Sequence, residues 1–269
     1  MTRALGFSVP VLALVLATAC GKKEDAAKVE LAPTSSALEA PKAASAKSQK
    51  LSVDTATSSV KFLMDSPLEK IDGDAPASIS GDLMVELEDL AKSSGLLKID
   101  LEKLTLYQQR RGDENGAYGE RIKNEKQNQH ARDWLQLVPH DGEVTAEQAA
   151  QNRFVEFRID KLEPSTPNVL TATGAERKVT ATVSGVVRLH GRQAPKSAKV
   201  ELTFRFAGDK LESLSVKSLE PLALELEKFE VHPRDGAGKF VKSITETIAT
   251  NLKGKIRNEA PILVEFSAK

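Results

Sequence analysis

Histidine, cysteine and the residues around them are where chemistry would have to start in this chain, which has four histidines and one cysteine. His130, His140, His190 and His232 are scattered. No two stand four apart, the helical spacing that aims paired ligands at one metal, and no His-Glu-x-x-His run occurs. His190 falls on the polar side of an alternating segment just before Gly191, where a structural or solvent-facing role is the expectation. His232-Pro233-Arg234-Asp235 sets a base near a carboxylate, but a surface turn accounts for the same residues. A Gly-x-Ser-x-Gly elbow and a glycine loop for phosphate are also missing. The reading is therefore of a non-enzyme, with no catalytic residue and no metal ligand.

Cys20 is different, because its surroundings are specific. Met1-Thr2-Arg3 begins the chain with a positive charge, and Ala4 to Ala17 is almost wholly apolar. At about fourteen residues, this run is shorter than the roughly twenty needed to span a bilayer. It ends in small residues, Leu16-Ala17-Thr18-Ala19-Cys20, the layout of a cleavable signal peptide. The box resembles the bacterial lipobox, in which the cysteine becomes N-terminal and carries diacylglycerol; Ala17 replaces the usual Leu three places earlier. The resemblance implies a signal peptide over 1–19, lipid attachment at Cys20 and an extracytoplasmic protein held on a membrane. Gly21, in place of Asp, favours the outer membrane. With that thiol acylated, disulfides and thiolate-bound metals are excluded. The formal net charge of zero supplies no general attraction to nucleic acid.

Residues 20–50 are rich in Ala, Lys, Glu, Ser and Pro and show no period. Such a stretch buries too little apolar surface to offset its chain entropy, so a disordered tether is expected, with one domain over 51–269. From Leu51 onward, polar and apolar residues alternate as in half-buried strands. Ile79, Gly81, Leu83, Val85 and Leu87 share one face, and so do Val179, Ala181, Val183, Gly185, Val187 and Leu189. Ala198, Val200, Leu202, Phe204 and Phe206 form a third. Further strands are expected near 58–64, 96–106, 153–162, 211–231 and 260–267, with breaks between Leu101 and Leu104 and around Pro221. About eight one-sided strands indicate an antiparallel sheet closed as a barrel or folded as a sandwich. Two amphipathic helices are expected, one through Ala131, Trp134, Leu135 and Val138, the other through Phe240, Ile244 and Ile248 with Gly254 as its stop.

Several of these segments are similar to the YceI-like family of lipocalin-like barrels. Val53-Asp54-Thr55-Ala56-Thr57-Ser58-Ser59-Val60-Lys61-Phe62 resembles its opening strand, with Thr57 where histidine is common. His130-Ala131-Arg132-Asp133-Trp134-Leu135 and Arg153-Phe154-Val155-Glu156-Phe157 resemble a helix and the strand after it. Val183-Ser184-Gly185-Val186-Val187-Arg188-Leu189-His190-Gly191, continued by Arg192-Gln193-Ala194-Pro195, is similar to the family's hairpin. Lys228-Phe229-Glu230-Val231-His232-Pro233 departs from its late Arg-x-Asp-Phe-Gly run. The resemblance implies an all-β, antiparallel lipocalin-like barrel of about eight strands with one or two short amphipathic helices. It also implies an apolar ligand, an isoprenoid lipid or isoprenoid quinone, with no other cofactor.

Residues expected to face the lumen are Phe62, Leu83, Val85 and Leu101, then Trp134 and Phe157, then Ala181, Val183, Gly185 and Leu189, and finally Leu202, Phe204, Leu224 and Phe266. The small ones, Gly81, Ala181, Gly185 and Ala198, would leave room inside, although glycine in a strand also marks a bend. An eight-stranded barrel is wide enough either to be filled by side chains or to hold one small ligand. Alternation does not choose between them. The expected function is thus a membrane-tethered binding protein for a long apolar ligand. The alternative is an envelope scaffold with a filled barrel and the charged Arg110–Arg132 loop as its partner surface, the partner itself not being identifiable from sequence.

Overall fold

The computed structural model describes residues 30–65, 68–140, 143–231 and 259–269, with the backbone alone at 64 and 65. The expectations for residues 1–19, Cys20 and Gly21, for His232–Asp235 and for the Phe240–Ile248 helix lie outside the described residues.

The strands are β1 (Gln49–Asp65), β2 (Glu69–Pro76), β3 (Ile79–Val85), β4 (Ser94–Asp100), β5 (Thr105–Arg110) and β6 (Ile122–Lys123). They continue as β7 (Phe154–Pro164), β8 (Glu176–Leu189), β9 (Arg192–Ala207), β10 (Lys210–Ser218), β11 (Leu222–Glu225) and β12 (Glu259–Ala268). Three pairs among them are halves of single bent strands. β3 pairs with the first part of β1 and β2 with its last part. The bend between them lies at Ala77, whose φ is 50°, and the Ser58 hydroxyl accepts the Ile79 N–H there. β4 and β5 are parted by a 3₁₀ turn at Leu101–Lys103, and β10 and β11, both paired with β12, are parted around Pro221. Both interruptions fall where the alternation slips phase. At the second, the Ser218 hydroxyl accepts the Val264 N–H that the break would otherwise leave unpaired.

With those halves joined, every neighbouring pair is antiparallel, and β12 returns to β1 with Val60 opposite Val264 and Phe62 opposite Ile262. With the short β6 attached to β5 outside the ring, the result is a closed eight-stranded antiparallel barrel. Closure follows from the sequence pattern, since strands apolar on one side only bury that side by wrapping round it, and wrapping removes the exposed edges.

One end of the barrel, its base, is shut. The β3–β4 and β7–β8 connections each carry a 3₁₀ turn, Leu90–Lys92 and Val169–Thr171. The turns hold one another: Leu90 N–H donates to the Pro167 carbonyl and Val169 N–H to that of Leu87. Leu90, Val169 and Phe204 are fully buried there. At the other end, the mouth, stand the β1–β2 and β8–β9 turns and the long β5–β7 excursion, with a second apolar cluster that includes Leu189, Leu224 and Phe229. The excursion holds α1 (Glu125–Trp134) and α2 (Ala146–Asn152). α1 begins earlier than the Ala131 stripe suggested, because Asn124 caps it by accepting the Gln127 N–H. α2 was not expected, though Thr145-Ala146-Glu147-Gln148 is a capping box and both of its bonds form.

The expected free tether is corrected over 30–50. This segment lies along the outer wall from mouth to base and ends inside β1, which starts at Gln49. Ala32 N–H donates to the Lys228 carbonyl, Ser35 N–H to that of Gly191, and Thr34 bridges Arg192. Leu38 is buried and its N–H donates to Glu156 at 2.8 Å. Near the base, the Ser45 hydroxyl donates to the buried Glu86 carboxylate. Composition is a poor guide here because the strap does not build a core of its own. It covers polar groups that the barrel presents outward: Glu156 and Arg188 are 3% and 4% exposed although they stand on the outer face. Deleting residues 30–48 is therefore expected to lower stability by about 2–3 kcal/mol, through one lost leucine burial and the lost hydrogen bonds to charge. For a domain of this size the thermal midpoint should fall on the order of 5–10 °C. An unchanged midpoint would mean that the strap contributes nothing to the domain.

Candidate functional site: an apolar cavity inside the barrel

The inward faces do not meet at the barrel axis. They leave a cavity of about 190 Å³ whose wall takes residues from all eight strand positions. Nearly all of that wall is aliphatic or aromatic; Ser93, Ser94 and Ser218 are its polar members. Ser93 and Ser218 already use their hydroxyl oxygens to accept backbone N–H groups, from Glu86 and Val264. Opposite Gly73, the Phe62 ring lies where a Cβ would otherwise stand, 2.0 Å from its ideal position, so glycine lets the ring lie against the wall.

Most of the expected lumen residues are on this wall: Phe62, Leu83, Val85, Leu101, Phe157, Val183, Leu202, Phe204, Leu224 and Phe266. Four are not, each for a local reason. A Cβ on Gly185 would stand 1.8 Å from the Arg158 carbonyl oxygen, so this glycine marks a close approach of β8 to β7 beside the bulge after Ile159, not spare volume. Gly81 makes the same approach to Leu96. Ala181 is buried, but its cross-strand partner Val200 reaches the wall and its own methyl group does not. Leu189 packs instead with Phe229 and Val231 at the mouth, and Trp134 lies partly buried against the same cluster. Ala198 does line the cavity, as its small size suggested. Ile159 and Leu162 both line it as well; the bulge between them shifts the phase of β7, and only a break in the alternation there could have shown it.

Charge is kept outside. Arg153 forks onto Asp100 at 3.0 and 2.7 Å, tying β7 to β4 and holding that carboxyl below its ordinary range. Arg121 bridges Asp72 and Asp74 and lies over the Tyr107 ring at 3.4 Å, which fastens β6 across β5 to β2. This pairing raises the guanidinium's already high pKa further. Of these residues Arg121 belongs to the Arg110–Arg132 segment considered above as a partner surface, and it braces the barrel's bent strands.

No family model matches the chain, and no curated protein matches it. The solved structures to which the chain is similar include these two. One is a polyisoprenoid binding domain from Saccharophagus degradans implicated in plant cell wall breakdown, 14% identical over 81% of this chain and 97% of that one, with a TM-score of 0.47. The other is BcnA from Burkholderia cenocepacia, 15% identical over 81% of this chain and 99% of that one, with a TM-score of 0.45. The fold is an all-β barrel.

At the mouth of the barrel the three described histidines take structural places. His190 opens the β8–β9 turn with a φ of 53° and is buried, not solvent-facing. Its Nδ1 lies 3.1 Å from the Phe229 carbonyl and its Nε2 2.6 Å from Gln136 Oε1, so one ring joins β8, the segment after α1 and the turn after β11. His130 stacks on Trp134 at 6.0 Å between ring centres. His140 sits in a short bridge with Val144. Among the described residues, no group of three or more His, Cys, Asp or Glu side chains is placed to hold a metal.

Proposed function

We propose that this barrel is a binding protein that takes the apolar part of a lipid-like ligand into its interior without transforming it. The observation that carries this reading is the cavity, a space of about 190 Å³ with an almost wholly apolar wall. A dry apolar cavity of roughly 150 Å³ accepts a guest the size of benzene. On this reading the lumen holds a short apolar segment, about one isoprene unit, and the rest of a longer chain lies outside it. Each buried CH₂ contributes roughly 0.8 kcal/mol, so a five-carbon unit contributes about 4 kcal/mol without any directional contact. That is how an apolar ligand is held with no motif in the sequence to announce it. The choice of an isoprenoid, as lipid or quinone, rests on the motif resemblance of the strands. The placement on a membrane outside the cytoplasm rests on the box ending at Cys20.

The test is chemical. Mass spectrometry of an organic extract of natively purified protein should yield an apolar lipid approaching one per barrel. Protein stripped of lipid should take up farnesol from solution. An empty extract together with no farnesol uptake would sink the binding reading.

A further inference from the structure

The strap that covers the outer wall also decides where the chain leaves the barrel. Its first contact is made by Ala32 on the Lys228 carbonyl, followed by Thr34 on Arg192 and Ser35 on Gly191. All three partners belong to the mouth. From Cys20 to Ala32 is a step of twelve residues, which spans at most about 40 Å when fully extended. A free tether running to Lys50 would have let either end of the barrel approach an anchor at Cys20. The docked strap does not, because it fastens the start of the domain at one end.

The exposed apolar side chains lie unevenly with respect to that end. Leu31 precedes the first strap contact and is 44% exposed; Leu68, in the β1–β2 turn, and Val138, after α1, are each 48% exposed. Leu63 and Ile122, on β1 and β6, are exposed on the same half, while Leu219, just after β10, and Leu263, on β12, are exposed on the side wall. At the base, the exposed Leu170 stands beside buried Leu90 and Val169. Large apolar groups exposed round one rim are suited to meet an apolar surface such as a membrane.

We infer that the mouth of this barrel faces the lipid bilayer to which Cys20 is anchored, with Leu31, Leu68 and Val138 on the rim turned towards the lipid. The short chain before Ala32 holds the rim near the bilayer, and the closed base points away. An apolar ligand then passes between bilayer and cavity over an apolar rim instead of crossing water. The inference rests on Cys20 as the anchor point and deepens the binding reading, because it specifies the source from which the ligand comes.

The single tryptophan, Trp134, packs at the mouth and serves as a built-in reporter. Protein purified as the cell processes it is placed on phosphatidylcholine vesicles that contain dansyl-phosphatidylethanolamine. It is held there by its own acyl chains or, where the thiol is free, by coupling Cys20 to maleimide-phosphatidylethanolamine. Energy transfer from Trp134 to the dansyl lipid is compared with transfer from a base probe, Leu170→Trp in a Trp134→Phe background. A second mouth probe, Leu68→Trp in that background, makes the result independent of the α1 site. Both mouth probes are expected to transfer at least threefold more efficiently than the base probe. Equal transfer from the two ends, or greater transfer from the base, would overturn the orientation. No ligand enters this readout, so an empty cavity would defeat the binding reading and leave the orientation standing.

Discussion

Ala198→Phe and Val183→Phe, made one at a time, are expected to lower ligand recovery and farnesol uptake by at least tenfold while leaving the barrel folded. The two positions face each other across β8 and β9, and both are on the cavity wall. A benzyl group in place of the Ala198 methyl or the Val183 isopropyl group occupies much of the space that a benzene-sized guest would use, so protein and ligand compete for one volume. The direction of the stability change is the sharper part. In a close-packed core, added bulk of this kind costs about 1–3 kcal/mol. In a cavity of about 190 Å³ the ring finds room and gains contacts, so the thermal midpoint should hold or rise. Thr182→Ala, on the opposite face of β8, is the control and should alter neither property. The measurements are lipid per mole of protein and the unfolding midpoint. Strong destabilisation with ligand recovery unchanged would mean that the barrel is solid and that whatever lipid copurifies is bound elsewhere.

Breaking the charged pair beneath the strap should have the largest effect on stability. Arg188 stands 3.6 Å from Glu156, and the two side chains are 5% and 3% exposed. Glu156 is also held by Lys98 at 3.1 Å and by the Leu38 N–H, while Arg188 donates to the Ser35 carbonyl. Removing Glu156 leaves Arg188 buried without its counter-charge, which costs about 3–5 kcal/mol, whereas removing Arg188 leaves Glu156 still paired with Lys98. Glu156→Ala should show a loss of that order in urea unfolding, and Arg188→Ala a smaller one of about 1–3 kcal/mol, because Lys98 remains on Glu156. Replacing both at once, with Glu156→Leu and Arg188→Met, should recover a large part of it, because a well-packed apolar pair carries no desolvation penalty. If either single change cost less than about 1 kcal/mol, the typical worth of an exposed pair, the strap would not be excluding water from these groups. The orientation argument would then lose its fixed starting point.

The barrel itself was legible in the residues because alternation is a local property with a global consequence. Val179 to Leu189 and Ala198 to Phe206 reveal an apolar face whatever lies opposite, and about eight such faces close on one another to bury it. The same logic placed Leu83, Leu202 and Phe266 inside and located the strand breaks near Leu101 and Pro221. The YceI-like motifs led to the same architecture. What the sequence did not contain was the outcome of close approach between strands. Gly185 reads as space along its own strand and proves to be a point of contact only beside the Arg158 carbonyl. Whether inward side chains fill a lumen depends on how far apart the opposing strands settle, and no single strand carries that distance. The strap is the plainest case. Residues 30–48 show neither period nor apolar run, since their partners are Glu156, Arg188 and Glu86 on a wall built by strands far along the chain. Local pattern determined which side of each strand is buried; only the tertiary structure decided that the interior is hollow and that the chain before it is bound to the mouth, because both depend on distances between segments that sequence spacing does not encode.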